Sequence, residues 1–312
     1  MSVPGPVVCV VGPTASGKSA LAERVAERLG SPVVSVDAMQ VYRGMDVGTA
    51  KTPLSERRVP LLMVDVVSPF ESYSARLFQQ DARAVVDRLV DDGITPVLCG
   101  GTGLYLNAVI DEMEFPSGER GGERRSAYEG LLALHGASWL HRLLEDRDPR
   151  SAALIHPNNT RRVVRALEML DEGTSYAEHH EGLHRRQPHY EARIWGLTMN
   201  RERLYQRIDS RVDDMVSQGL VEEVNKLWAQ GLSDELTAGQ AIGYKEILSA
   251  LSGQMTLQEA TNLIKLRSRR YAKRQLSWFR HDGRVRWIDM DEHDLESASA
   301  LILADLEGGR RG

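Results

Sequence analysis

The sequence predicts an α/β protein built on a parallel sheet flanked by helices and interrupted by an all-helical insertion. Three observations carry this. Short apolar, β-branched runs alternate with helical periods through the first hundred residues. A glycine-rich motif lies where the first run gives way to the first helical period. From about residue 117 to 190 the strand-like runs disappear and only helical spacing remains.

In order, "PVVCVV" (6–11) reads as a strand and "KSALAERVAERL" (18–29) as a helix. "PVVSV" (32–36) and "LLMVDVV" (61–67) read as strands, "QQDARAVVDRLVDDG" as a helix and "TPVLCGG" (95–101) as a strand. Such nearly unbroken apolar strands belong to a sheet covered on both faces, which is the parallel arrangement. "PSGERGGERRS" (116–126) breaks the pattern. "YEGLLALHG", "SWLHRLLEDRD" and "TRRVVRALEMLDEG" follow as helices; "ARIWGLTM" (192–199) returns to the sheet and "VRWIDM" (285–290) adds a late strand. The expected division is therefore a first part of the core over 1–116, the insertion over 117–190, and the rest of the core with C-terminal helices over 191–312.

Composition narrows the class. In 312 residues, 42% are hydrophobic and 27% charged, which excludes a disordered or fibrous chain. No apolar run approaches membrane-spanning length, and the N-terminus lacks a secretory pattern. Cys9 and Cys99 lie in apolar runs without metal-ligand spacing and read as small buried hydrophobes. The net charge of −5 argues against a generally basic nucleic-acid binder. Yet residues 265–280, "KLRSRRYAKRQLSWFR", carry seven Lys or Arg and no acid, a local stripe able to meet a polyanion.

The chemistry begins at "GPTASGKS": Gly12, Pro13, Thr14, Ala15, Ser16, Gly17, Lys18 and Ser19. Backbone N–H groups in such a loop curl around phosphate oxygens, and the following helix N-terminus adds partial positive charge. Lys18 neutralises terminal phosphates, and the Ser19 hydroxyl is a candidate Mg²⁺ ligand. Asp37 follows the second strand, where parallel sheets present residues to the ligand crevice; the same residue type also caps turns. Asp65 competes for a magnesium-side role, with a structural role favoured. "GGTGLY" (100–105) lets backbone approach a ligand and offers the Thr102 hydroxyl. Arg203, Arg207 and Arg211 share one helix face; they reach an anion or pair with Asp213 and Asp214. Tyr271, Trp278 and Phe279 interleave with the cations of the stripe, which suits RNA or an ordinary helix packed by its aromatics. Arg161, Arg162 and Arg165 crowd the start of a helix, where cations are disfavoured, so an anionic partner is indicated.

Taken together, "GPTASGKS", "SVDAMQVYRGMDVGTAK" (35–51), "GGTGLY", "HPNNTRRVVRALE" (156–168), "QAIGYKE" (240–246) and "RRYAKRQLSWFR" (269–280) resemble the tRNA dimethylallyltransferase (tRNA isopentenyltransferase) family. They fall in the family's order and span most of the chain, and the last three make the match specific. The resemblance implies a P-loop fold of the nucleoside-kinase type and transfer of a dimethylallyl group from dimethylallyl diphosphate to N6 of adenosine 37 in the tRNA anticodon loop. It also implies Mg²⁺, a helical insertion embracing the anticodon stem-loop, and a monomer working in the cytoplasm. Carried onto this chain, Gly12 to Ser19 grip the diphosphate with Thr14, Lys18, Arg207 and Arg211 assisting, and Asp37 receives the N6 proton. Asp37, Ala38, Met39 and Gln40 line the adenine. Thr102, Arg125, Arg161, Arg162, Arg165, Gln240, Gly243, Tyr244, Lys245, Lys273, Arg274, Gln275, Trp278 and Arg280 are the expected RNA contacts. The chain departs from the family pattern at Ala38 (usually Ser), Leu61 and Leu62 (usually a His pair) and Ser277 (usually Thr).

Three other readings compete. A small-molecule kinase explains the first hundred residues and leaves the basic stripe idle. An isopentenyltransferase for free adenine nucleotides leaves the RNA segments without a role. A non-catalytic RNA binder predicts a degraded loop or a lost Asp37, and both are intact.

Overall fold

The computed structural model describes residues 6–115, 122–184 and 187–309. In chain order the elements are β1 (Val7–Val11), α1 (Lys18–Leu29), β2 (Val33–Ser35), β3 (Leu61–Leu62), α2 (Ala75–Asp91), β4 (Val97–Gly100) and α3 (Gly103–Ile110). Five helices follow: α4 (Glu123–His135), α5 (Ala137–Arg147), α6 (Pro149–Leu154), α7 (Thr160–Asp171) and α8 (Tyr176–His184). Then come β5 (Ala192–Thr198), α9 (Arg201–Ser217), α10 (Leu220–Ala229), α11 (Tyr244–Leu251), α12 (Leu257–Arg280), β6 (Val285–Asp289) and α13 (Leu295–Gly309).

The chain forms two compact units, 1–110 with 188–312, and 111–187. The sequence texture puts these boundaries at 117 and 190; position 117, like the start of the 116–126 breaker, lies outside the described residues.

All six strands of the first unit pair in parallel, in the order β3-β2-β4-β1-β5-β6. Val7 to Val11 are fully buried because the strand is covered on both faces. Val7, Cys9 and Val11 enter one apolar cluster; Val8 and Val10 enter the other with α1 and α13. After β1 the chain moves toward β2 and β3. After β4 it crosses to β5, on the far side of β1. The crevice at the carboxyl ends of β1 and β4 is thus the switch point where open α/β sheets hold ligands.

The run at 61–67 is the strand the sequence overextends most. The ladder to β2 ends at Leu62, where Met63 and Asp65 take left-handed backbone with φ of 58° and 57°, and Val67 returns only as an isolated bridge to Tyr42. There the Asp65 carboxylate meets the buried Lys51 ammonium, fourteen residues earlier, at 2.6 Å, and Lys51 also reaches Asp46 at 2.8 Å and the Tyr42 carbonyl at 2.6 Å. Asp65 is a partner of Lys51, which supports its structural role.

Glu223 on α10 anchors the long connection between β2 and β3. Its carboxylate accepts from the N–H groups of Asp46 and Val47 at 2.8 Å and Gly48 at 3.1 Å, and from the Tyr244 hydroxyl at 2.5 Å. Tyr244 is therefore fully buried, and its phenol is held neutral by burial and by Glu223. The second unit packs Tyr128, Leu140, Leu144, Ile155, Val163, Val164 and Leu167 into its own core. Tyr244→Phe should cost about 1.5–3 kcal/mol, the worth of a hydrogen bond to a charged group. Urea unfolding measures this, and an unchanged midpoint would contradict the anchoring role of Glu223.

Candidate active site

The loop after β1 is closed by its own backbone and by α9 and α12. Ser16 N–H donates to Pro13 O at 3.3 Å, and Lys18 Nζ donates to the same carbonyl at 3.2 Å. Gly17 caps α1, so the helix dipole ends where the loop's N–H groups gather. Thr14 N–H donates to Gln275 Oε1 at 2.8 Å.

Asp37 stands two residues past β2. Its Oδ1 accepts from the N–H groups of Met39 at 2.9 Å and Gln40 at 3.4 Å, which orients the carboxylate. Ala38 N–H donates to Thr102 Oγ1 at 3.1 Å and so ties this turn to the glycine turn after β4. Ala38 lacks the usual hydroxyl, but its backbone is fixed. Asp37, Thr14, Lys18, Ser19, Cys99, Tyr271 and Gln275 line one small chamber beside the loop. Burial pushes the Tyr271 phenol up to about 12, the Asp37 charge adds to this, and the Thr102 and Gln275 side chains oppose it.

A larger cleft of about 500 Å³ adjoins it, sharing Lys18, Ser19 and Arg211 and lined also by Gly17, Arg203 and Arg207. The arginine row divides. Arg207 Nε donates to Ala15 O at 2.8 Å, and Arg211 reaches Thr14 Oγ1 at 3.4 Å. Arg203 is paired with Asp291 at 2.5 Å, as an ordinary surface ion pair. Burial pushes the Lys18 ammonium below its ordinary 10.5; Arg211 adds to the depression, while Cys99 and Asp37 oppose it. Burial depresses Arg211 as well. Two desolvated cations with Arg207 beside them suit a ligand carrying several negative charges. Cys99, which sequence reasoning left in the core, borders this site; burial pushes its thiol up to about 11, so it stays neutral. Neither Cys99 nor the inward turn of Tyr271 had a signal beyond their apolar and helical spacing.

Several expected RNA contacts are placed otherwise. The glycines of "GGTGLY" make room for α12: a Cβ at Gly101 would lie 2.0 Å from Gln275 Nε2, and one at Gly103 would lie 2.1 Å from the Trp278 ring. Gln275 is buried, with both amide ends on backbone, Thr14 N–H and Gly101 O. Tyr244 is buried on Glu223, and Gly243 is buried with its N–H on Glu246. These hydrogen bonds tie all three into the scaffold of the site, and Gln275 also lines the chamber beside Asp37. Gln40 bridges Ser35 Oγ and Thr49 O, and Met39 packs against the core. Lys245 and Gln240 meet each other at 3.2 Å.

The basic stripe also divides along α12. Lys265 pairs with Asp213, Arg267 with the buried Glu246, and Arg269 with Asp209. Arg270, Lys273, Arg274, Ser277 and Trp278 are exposed at spacings of three and four, forming one face, and Arg280 is exposed beside it. In the second unit, Arg161 and Arg162 are exposed on α7. Arg125 pairs with Glu129 at 2.9 Å, and Arg125 and Arg165 each lie 3.7 Å from Glu168. Arg124 is exposed on the same helix. Burial raises the Glu168 carboxyl, and the two arginines pull it back.

Among the described residues no three His, Cys, Asp or Glu side chains gather as a metal cage. No helix there is long and apolar enough to cross a membrane. Ser19, Asp37 and Glu23 are among the oxygen-bearing side chains that line the chamber beside the loop, with Thr14, Ser35, Thr49 and Tyr271. Hard oxygen donors of this kind suit Mg²⁺ held partly by phosphate and water.

Because the lowered Lys18 pKa makes the unfolded chain bind more protons up to pH about 10.5, the charged form costs stability at neutral pH and the cost fades as pH rises. Lys18→Met should accordingly raise the thermal midpoint of the free protein and abolish the stabilisation given by added inorganic diphosphate. A lowered midpoint in the free protein, or a retained diphosphate response, would contradict this account.

The sequence pattern of the IPP transferase family matches residues 40–282, and that of the isopentenyl transferase family matches residues 5–58. The chain is 43% identical to a tRNA dimethylallyltransferase of Carboxydothermus hydrogenoformans over 96% of both chains. It is 45% identical to that of Geobacillus kaustophilus, over 92% of this chain and 91% of the relative. A full-length tRNA isopentenylpyrophosphate transferase from Bacillus halodurans superposes with a TM-score of 0.71 at 42% identity, covering 98% of each chain. A eukaryotic dimethylallyltransferase, solved in crystallographic snapshots of its action on tRNA, superposes with a TM-score of 0.76 at 27% identity, over 91% of this chain and 73% of that one. With a switch-point phosphate loop, an oriented Asp37 and these relatives along nearly its whole length, the chain belongs to the IPP transferase family of tRNA dimethylallyltransferases.

Proposed function

We infer that the protein transfers a dimethylallyl group from dimethylallyl diphosphate to N6 of adenosine 37 in the tRNA anticodon loop, releasing diphosphate. The observation that carries this reading is one cleft combining desolvated cations around a phosphate loop with a backbone-oriented carboxylate. An exposed basic face lies on the helix that packs into it. A kinase would share the loop, but the exposed row Arg270, Lys273, Arg274 and Trp278 favours an RNA acceptor.

The chemistry follows from the charges. As the bond between the prenyl carbon and the diphosphate oxygen breaks, negative charge grows on the leaving group. The loop N–H groups, Lys18, Arg207 and Arg211 are in place beforehand and stabilise that charge as it develops. The N6 nitrogen bonds the electron-poor carbon and becomes cationic, and only then is its proton acidic enough to move to Asp37. The N–H groups of Met39 and Gln40 keep the Asp37 carboxylate pointed for that transfer. Ser19, with phosphate oxygens and water, would hold Mg²⁺, which supplies further charge neutralisation to the diphosphate. Arg161, Arg162, Lys273, Arg274 and Arg280 meet the RNA backbone, and Trp278 offers a stacking face. We further propose a cytoplasmic enzyme acting as a monomer.

Incubating the protein with dimethylallyl diphosphate labelled in its prenyl group, labelled ATP, free AMP and unmodified tRNA separates the readings. Label should enter tRNA from the prenyl donor alone; phosphoryl transfer from ATP, or label entering AMP only, would overturn the assignment. Asp37→Ala should lower turnover by about a hundredfold or more, with tRNA affinity retained. Arg274→Ala should weaken tRNA binding and flatten the salt dependence of log K by about one unit of slope. An unchanged salt slope would remove Arg274 from the interface.

A further inference from the structure

The polar core of α12 has a role that the RNA-contact expectation does not cover. Gln275 is 5% exposed, yet its amide bridges two loops far apart in sequence. Its Oε1 accepts from Thr14 N–H at 2.8 Å and its Nε2 donates to Gly101 O at 2.9 Å. One loop grips the anion. The other belongs to the turn whose Thr102 fixes Ala38, next to Asp37. The Tyr271 phenol, one helical turn earlier, lies within reach of both Gln275 and Thr102. An amide is the side chain that both accepts and donates at fixed spacing without charge. A carboxylate would accept at both ends and a cation would donate at both. The absence of a side chain at Gly101 is what lets the amide reach its carbonyl.

We propose that Gln275 is a positioning residue that sets the spacing between the loop holding the departing diphosphate and the turn holding the Asp37 side of the reaction. Displacement of reacting groups by about 1 Å costs on the order of a hundredfold in rate, so a strut between the two loops acts on turnover. It leaves RNA affinity alone, since Gln275 faces away from the exposed row of Arg270, Lys273 and Arg274. This inference rests on the transfer reaction proposed above.

The test is a double-mutant cycle in the full-length protein with Gln275→Ala, Gly101→Ala and the pair, plus the shape-preserving Gln275→Met. Prenyl transfer to unmodified tRNA gives kcat and KM, filter binding gives tRNA Kd, and thermal unfolding reports the fold. We expect each single variant to lose about tenfold or more in kcat, with tRNA Kd within about twofold. The pair should be no slower than the slower single variant, because the severe 2.0 Å clash of the added Cβ is with the amide, and once that is gone only the Gly12 carbonyl, at 3.2 Å, remains against it. Gln275→Met should fail like Gln275→Ala although it fills the same space. Multiplying losses in the pair, wild-type kcat in Gln275→Met, or a fall in tRNA affinity with kcat retained would each overturn the proposal. So would joint loss of tRNA binding and turnover. If the wild-type protein binds tRNA but transfers no prenyl group, the functional reading fails instead.

Discussion

Helix α12 passes so close to the turn after β4 that only glycine fits at Gly101 and Gly103, where Gln275 and Trp278 lie against the backbone. Everything about the site hangs on this approach. The helix seals the crevice, delivers an amide to the anion loop and a phenol to the chamber beside Asp37, and still presents an outer face of cations. A segment that had only one of these faces would make either a scaffold or a binding surface. With both, chemistry on one side and recognition on the other share a single rigid element.

The electrostatics complement that geometry. Lys18 and Arg211 are partly withdrawn from water, which disfavours their charged forms. Only an incoming anion fully compensates them, so the loop's affinity is directed at a multiply charged group and rises as more charge develops on it. Asp37 is the carboxylate among these cations, and it is oriented by backbone N–H groups. The same arrangement thus separates roles by position: cations on the leaving-group side, one carboxylate on the acceptor side.

The sheet, its parallel order and the helical character of the second unit were legible because they rest on local periodicity and β-branched runs. The loop and Asp37 were legible because a fixed motif and a strand end announce them. What escaped was the direction of side chains on α12 and α11. Gln275 and Tyr244 sit in segments whose family motif points to RNA, yet they face inward, toward Gly101 and Glu223. The end of β3 escaped as well, since the ion pair of Asp65 with Lys51 is a long-range event that no run of apolar residues reveals.

The sequence by itself determined that this chain makes an α/β phosphate-binding core with a helical insertion and a basic C-terminal helix, because spacing and composition encode local structure. Only the tertiary structure decided which polar groups meet. It split the arginines of α9 into two that face the loop and one bound to Asp291, and the cations of α12 into ion-paired ones and an open face. The physical reason is that a helix's spacing defines its faces but not their neighbours. Those are set by packing between segments more than two hundred residues apart, such as Thr14 and Gln275.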